Sequence, residues 1–251
     1  MALHKSMLVA RADLKMAMKV SYVKYGLIAI VSLGPIMLVG LVFLIALLDP
    51  ATAAATLTMM DPLLSPMLGI LAIIPASLIS ANALVGEREQ STLEPLLCTP
   101  LTDRELLIGK ALSSLIPAIT LLLGSILITE ISTIMILLYV GAEVVLFPGV
   151  ASLFLLLTAG PTLILAIVSV MILISGRVKR VYEAYQTSGA TVFIFVIPMM
   201  LPMVSMDASG NVDMNLVWLS NIVTFLVCLL LALITWALAI GRFNRDKMVS
   251  M

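Results

Sequence analysis

Charge is the scarcest ingredient of this sequence. Lys, Arg, Asp and Glu make up 11% of its 251 residues, less than half of the roughly 25% usual in a soluble globular chain. The single histidine, His4, excludes an H-E-x-x-H metalloprotease helix and any histidine-based metal cluster. Two cysteines, Cys98 and Cys228, fall in a polar loop and a late apolar run, which makes neither a disulfide framework nor a metal-ligand pair. No G-x-x-x-x-G-K-[ST] phosphate loop and no G-x-S-x-G nucleophile elbow occur. If a nucleotide drives this protein, another chain binds it. The N-terminus lacks the uninterrupted apolar core of a signal peptide, because Lys5, Arg11, Asp13, Lys15 and Lys19 break it up. Internal repeats and low-complexity linkers are also missing, so one membrane domain spanning residues 1–251 is expected.

What fills the space is oil. Apolar residues make up 62% of the chain and the mean hydropathy is +1.20, with the apolar residues gathered in long runs. A helix needs about 20 such residues to cross a hydrocarbon core of roughly 30 Å. By that measure the expected fold is an all-α integral membrane protein with six spans, at residues 26–48, 63–85, 106–138, 150–175, 187–205 and 216–240. The first outer loop is expected to hold Asp49, Pro50, Asp61 and Pro62, and a later one to lie around Tyr139–Gly149. Residues 1–25 read as an amphipathic interfacial helix. Leu3, Met7, Ala10, Leu14 and Ala17 form one stripe, and His4, Lys5, Arg11, Lys15 and Lys19 form another that faces anionic headgroups. Tyr22 and Tyr25 mark the interface, and Trp218 and Trp236 sit near opposite ends of the last span.

The distribution of charge orients the chain. All 14 Lys and Arg fall in four regions: the N-terminal segment, the segment holding Arg88, Arg104 and Lys110, the loop of Arg177, Lys179 and Arg180, and the tail of Arg242, Arg245 and Lys247. The opposite loops carry only acids, at Asp49, Asp61, Glu143, Asp207 and Asp213. Basic residues are retained on the cytoplasmic side, so both termini are expected in the cytoplasm and the chain in the cell's cytoplasmic membrane. The net charge of zero is silent on nucleic acid, and none is expected as a partner.

One polar island interrupts the oil, Gly86-Glu87-Arg88-Glu89-Gln90-Ser91-Thr92-Leu93-Glu94-Pro95-Leu96-Leu97-Cys98-Thr99-Pro100. Ser91 and Glu94 have the spacing of a capping box. With Thr92 as the cap instead, Pro95 falls harmlessly in the first turn. Either start yields a short helix bearing Leu93, Leu96 and Leu97, stopped by Thr99-Pro100. Thr102-Asp103-Arg104-Glu105 repeats the capping pattern and launches the third span. A charged segment with a leucine face, in so apolar a chain, sits in water and touches a partner.

The run from Gly86 to Leu97, with Thr99-Pro100 and Arg104-Glu105-Leu106-Leu107-Ile108-Gly109-Lys110 after it, resembles the signature of ATP-binding-cassette permeases of the type-2 exporter family. There, a G-E-(K/R)-E-x-x-T-L-E-x-L-L segment links the second and third spans. The resemblance extends to the whole layout, including the tail Phe243-Asn244-Arg245-Asp246-Lys247. It implies a permease subunit that pairs with a second permease chain, identical or sibling, and with two copies of a separate ATPase. ATP and Mg would be bound on that ATPase, leaving this chain with no cofactor and no catalysis of its own. Residues 86–105 would be the cytoplasmic coupling loop, its short coupling helix docking on the ATPase. Glu87, Arg88 and Glu89 would make polar contacts there, Leu93, Leu96 and Leu97 would be the apolar face, and Thr92 and Glu94 would hold the shape. The short loop Asp49–Pro62 departs from relatives with a large domain at that point, which argues against a substrate-capturing outer domain.

Glu130 is the one acid inside a hydrophobic stretch, and such acids are costly and usually functional. It lies about 36 Å along a helix that starts at Leu106, at the outer interface. It is the one candidate for substrate contact. Pro35, Pro75, Pro117 and Pro161 can kink spans, and Pro198 with Pro202 can turn the end of the fifth span into a short re-entrant piece. The 17 methionines suit adaptable packing, and no metal site is expected. Alternatives from other classes are a secondary transporter driven by an ion gradient and a membrane scaffold that transports nothing. The absence of repeats and of clear midplane acids counts against the first of these.

Overall fold

The computed structural model describes residues 2–17, 21–89, 102–178, 180–206 and 212–242. The helices are α1 (Ala2–Ala17), α2 (Ser21–Leu48), α3 (Ala53–Leu64), α4 (Pro66–Glu89), α5 (Asp103–Val140), α6 (Val150–Ser175), α7 (Val181–Met199) and α8 (Met214–Arg242). A 3₁₀ turn, Leu201–Ser205, follows α7. Among the described residues there is no strand ladder, only a single bridge between Met206 and Val212. Among the described residues, five helical segments are long and apolar enough to cross a membrane: Ala53–Glu87, Asp103–Val140, Val150–Ser175, Tyr182–Ser205 and Met214–Gly241. A sixth apolar stretch, Ser32–Leu48 within α2, is shorter. The chain is an all-α, multi-pass membrane protein.

Helices α4 and α6 are the most enclosed and form the centre of the bundle. Leu155, Leu156, Ala159, Leu163, Ile164 and Ile167 of α6 are fully buried, where α6 packs chiefly on α8 and α4. Helices α5 and α8 leave much of their surface free, with Leu127, Ile131, Met135, Leu230 and Leu233 exposed. An apolar surface of that kind is at home in lipid and intolerable in water. Trp218, near the start of α8, packs its ring on Phe154 with centroids 5.7 Å apart. Pro35, Pro75, Pro117 and Pro161 are carried inside α2, α4, α5 and α6. After Pro198, α7 ends at Met199 and gives way to the 3₁₀ turn.

Helix α5 begins with the capping box legible in the sequence. The Glu105 N–H donates to Thr102 Oγ1 at 3.2 Å, and the Thr102 N–H donates to Glu105 Oε2 at 2.9 Å. Its 38 residues span about 57 Å, well beyond a hydrocarbon core of about 30 Å. The helix is therefore longer than a bilayer core is thick.

The segment expected as a loop through Pro62 is helical from Ala53 onward, and the non-helical turn is confined to Asp49–Thr52. There the Asp49 carboxylate accepts from the Ala51 N–H at 3.2 Å and from Thr52 Oγ1 at 2.8 Å. The difference has a physical cause. Asp61 and Pro62 resemble helix breakers, yet Asp61 is buried and its carboxylate is satisfied. Ser152 Oγ donates to Oδ2 at 2.7 Å, the Gly149 N–H donates to Oδ1 at 3.1 Å, and Ser65 Oγ donates to Oδ1. Gly149 is the cap residue of α6 and has no side chain to cap with, so Asp61 supplies the anion at that helix N-terminus from a different helix. A Cβ at position 149 would lie 2.8 Å from Asp61 Oδ2, so the close approach requires glycine. Asp61→Ala is expected to leave three donors without an acceptor and to cost about 2–4 kcal/mol. The measurement is thermal unfolding in detergent. An unchanged melting temperature would contradict this role.

Candidate functional site

The polar island begins in the last turn of α4 and is followed by the start of α5. Residues 90–101, and with them Thr92, Leu93, Glu94, Leu96 and Leu97, lie outside the described residues. The tail motif Phe243–Lys247 lies outside them as well. What the structure defines is the base on which the island is mounted.

At that base sits Lys110, with no solvent exposure. It falls on the inward stripe of α5 with Leu106, Leu107, Ala111 and Ser114, all buried. An ammonium has three protons and no acceptor. Here Nζ donates to Glu87 Oε1 at 2.7 Å, to Asp13 Oδ2 at 3.2 Å and to the Ala83 carbonyl at 2.6 Å. The three acceptors come from the last turns of α4 and from α1. One buried cation thus joins three helices at the point where the island begins. Burying a charge is tolerated only when it is paired and hydrogen-bonded, and every donor of Lys110 is used.

Helix α1 reaches Lys110 because it lies close along the first turns of α5. Ser6 and Ala10 are buried, and Ser6 Oγ donates to the Glu105 carbonyl at 3.0 Å. A Cβ at Gly109 would come within 2.9 Å of Val9 Cβ and 3.0 Å of the Ser6 carbonyl, so glycine permits the contact. The stripe expected to face the bilayer is divided as a result. Ala10 turns to α5 and Met7 is exposed, because small side chains, not large ones, allow two helices to approach.

Two further contacts grip the same stretch of α4. Ser175 Oγ, on the last residue of α6, accepts from the Leu84 and Val85 N–H groups at 3.0 and 3.1 Å. The Asn82 side-chain amide donates to the Tyr185 hydroxyl of α7. Residues 82–87 are therefore tied by polar contacts to α1, α5, α6 and α7, immediately before the island.

Glu87, expected among the residues facing a partner, has its carboxylate turned into the bundle toward Lys110. Arg88 lies in the last turn of α4, and its side chain is outside the described residues. Glu89 closes α4 and is exposed. Glu130 lies in the far half of α5, half-buried, roughly 40 Å along the helix from Asp103, and does not join this cluster. Among the described residues, no group of His, Cys, Asp and Glu could hold a metal ion.

Sequence reasoning counted Lys110 only as a cytoplasmic charge and as part of a motif, and Asp13 only as a break in an apolar run. The signal was available in the register of α5, where a lysine stands among Leu106, Leu107, Ala111 and Ser114 on a single stripe. Lys110→Met is expected to strand Glu87 and Asp13 together and to destabilise the chain by about 3–5 kcal/mol. Glu87→Gln is expected to cost less, since Lys110 keeps Asp13 and the Ala83 carbonyl. Adding Glu87→Gln and Asp13→Asn to Lys110→Met should recover part of the loss. Thermal denaturation of the four purified proteins checks the order, and independent, additive effects would refute the coupling.

Among curated proteins, none matches this chain. A family model described as ABC-2 family transporter protein matches residues 10–217. That span takes in the second half of α1, whose Asp13 reaches Lys110, both helices that carry the island, and the Ser175 and Tyr185 contacts. The chain therefore belongs to the ABC-2 transporter family, as a membrane-embedded permease.

Proposed function

We propose that this chain is the membrane-spanning subunit of an ATP-driven exporter in the cytoplasmic membrane. It has one membrane domain of six spans, formed by α2, α3 with α4, α5, α6, α7 and α8, and both termini lie in the cytoplasm. It works with a second permease chain and with separate ATPase subunits that bind ATP and Mg. The positions of the charges support this orientation. Arg11, Lys15, Arg104, Lys110, Arg177, Arg180 and Arg242 all belong to helix ends or connections on the island's side, while Asp49, Glu143 and Asp213 belong to the other.

The observation that carries the reading is the convergence on residues 82–87. A segment that takes force from a partner must be fastened to the parts that move. Lys110, Ser175 and Tyr185 fasten this one to α5, α6 and α7, and Asp13 adds α1. Closure of the ATPases on ATP displaces the island, and the displacement passes through Glu87 into the bundle. A pathway between two permease halves then changes its accessible side. Such coupling requires the ATPase to bind the two permease states with different affinity. In this scheme Glu87 acts from within as an anchor. Arg88 and Glu89 provide polar contacts, Leu93, Leu96 and Leu97 provide the docking face, and Thr92 and Glu94 hold its shape.

Leu93→Asp is expected to weaken association with the ATPase about 30-fold, as for the loss of a central interface residue, and to abolish ATP-driven transport while membrane insertion stays normal. Co-purification with the partner ATPase and vesicle transport assays test it. Transport at the unmodified rate in the variant would refute the coupling role. Transport abolished by an uncoupler with ATP plentiful would point to an ion gradient as the driving force.

A further inference from the structure

The chain holds 17 methionines, and four of them fall in the eight residues Met199–Met206. Here α7 ends and the 3₁₀ turn Leu201–Ser205 begins, about 22 Å along α7 from Tyr185 and so at the end of the bundle away from the island. Met199 has the packing role expected of these side chains: it is fully buried and lies over Gly69 of α4. The other three behave differently. The Met203 N–H donates to the Met200 carbonyl at 3.1 Å, and the Met206 N–H donates to the Met203 carbonyl at 3.2 Å. With about three residues per turn, such bonds place side chains three apart in an eclipsed row. The burial pattern has the same period. Met199, Pro202 and Ser205 are buried, whereas Met200 is 45% exposed and Met203 and Met206 are half-buried.

We propose that the thioethers of Met200, Met203 and Met206 form a binding site for a soft monovalent cation, Cu(I) or Ag(I). The rise between neighbours in the row is about 6 Å, a gap that unbranched, flexible side chains close by leaning toward the middle one. A thioether is neutral and polarisable. It offers little to hard divalent ions, which take oxygen ligands, and it selects Cu(I) among the soft ones. The surroundings favour a cation and supply no competing one. Between Arg180 and Arg242 the sequence holds no Lys or Arg, while Asp207 and Asp213 follow the turn closely. Contact with lipid alone would be served as well by leucine, which has no donor atom. The site does not depend on what drives the permease.

The test uses the full chain, purified in detergent, in a Cys98→Ser, Cys228→Ala background that removes both thiols. Cu(I) is titrated without oxygen against a chromogenic Cu(I) chelator, and Ag(I) serves as a redox-inert second probe. The expected result is an ion held in competition with the chelator, with sulfur neighbours in its X-ray absorption spectrum. Met203→Leu should weaken binding by at least about tenfold, since losing even a hydrogen-bond partner behind a metal ligand costs that much. Combining it with Met200→Leu and Met206→Leu should abolish binding. Leucine conserves the volume of methionine, and a melting temperature unchanged from the background protein verifies the fold. Met7 is 60% exposed near the opposite end of the bundle, and Met7→Leu should bind as tightly as the background. The site would be overturned by a background protein that fails to compete, by a spectrum with only nitrogen or oxygen neighbours, or by binding that survives the triple substitution. A loss as large in Met7→Leu as in Met203→Leu would also overturn it, in favour of indiscriminate uptake by surface methionines. None of these outcomes bears on whether ATP drives the permease.

Discussion

The structure depends on the solvation of one buried ammonium. Lys110 sits among leucines and small residues with no access to water, and its charge survives there because three oxygens meet its three protons. Those oxygens belong to Asp13 of α1, Glu87 of α4 and the Ala83 backbone. None of the three helices can shift alone without leaving a buried charge exposed to hydrocarbon, a penalty far larger than that of sliding two apolar surfaces past each other. The packing that brings α1 within reach follows from the same requirement. Gly109, Ser6 and Ala10 are small where a larger residue would hold the carboxylate of Asp13 away.

A second buried carboxylate organises the other end of the bundle by a different device. Asp61 has no cation among its hydrogen-bond partners and is held by two hydroxyls and the N–H that opens α6. The helix terminus supplies the positive potential that a lysine supplies at the opposite end. Asp61 ties α3 to the start of α6, while at the opposite end Lys110 joins α1, α4 and α5 and Ser175 joins the end of α6 to α4. Between them lies packing of Leu, Ile and Ala, and that kind of contact permits small displacements while the polar ties preserve register.

Much of this was legible in the sequence, for identifiable reasons. Apolar runs longer than a bilayer is thick announce membrane helices, and the Thr102–Glu105 capping box is a local pattern whose hydrogen bonds need no tertiary partner. Lys110 and Asp61 were harder to read. The chemistry of Lys110 is set by Asp13, 97 residues away along the chain, and a hydropathy profile treats a paired lysine and a solvated one alike. Asp61 with Pro62 looks like a loop because both residues oppose a helix locally. The override comes from Gly149 and Ser152, far downstream. The apolar stripe of α1 was read as one face, whereas the contact with α5 takes Ala10 together with the polar Ser6 and leaves Met7 exposed. In each case local propensity was overruled by a polar contact between distant segments.

The central claim is that α1 and the end of α4 move as one body with the start of α5, so that force on the island reaches the bundle. Spin labels at Lys15 and Glu89, both exposed, report the distance between α1 and α4. A third label at the exposed Asn215 of α8, a helix outside these polar ties, supplies an outside reference. The measurement is the set of pulsed-dipolar distances in the assembled transporter, without nucleotide and with ATP trapped. The account predicts that the 15–89 distance stays constant while the distances to position 215 change together. A 15–89 distance that changes on ATP binding, with the distances to position 215 moving independently, would contradict it.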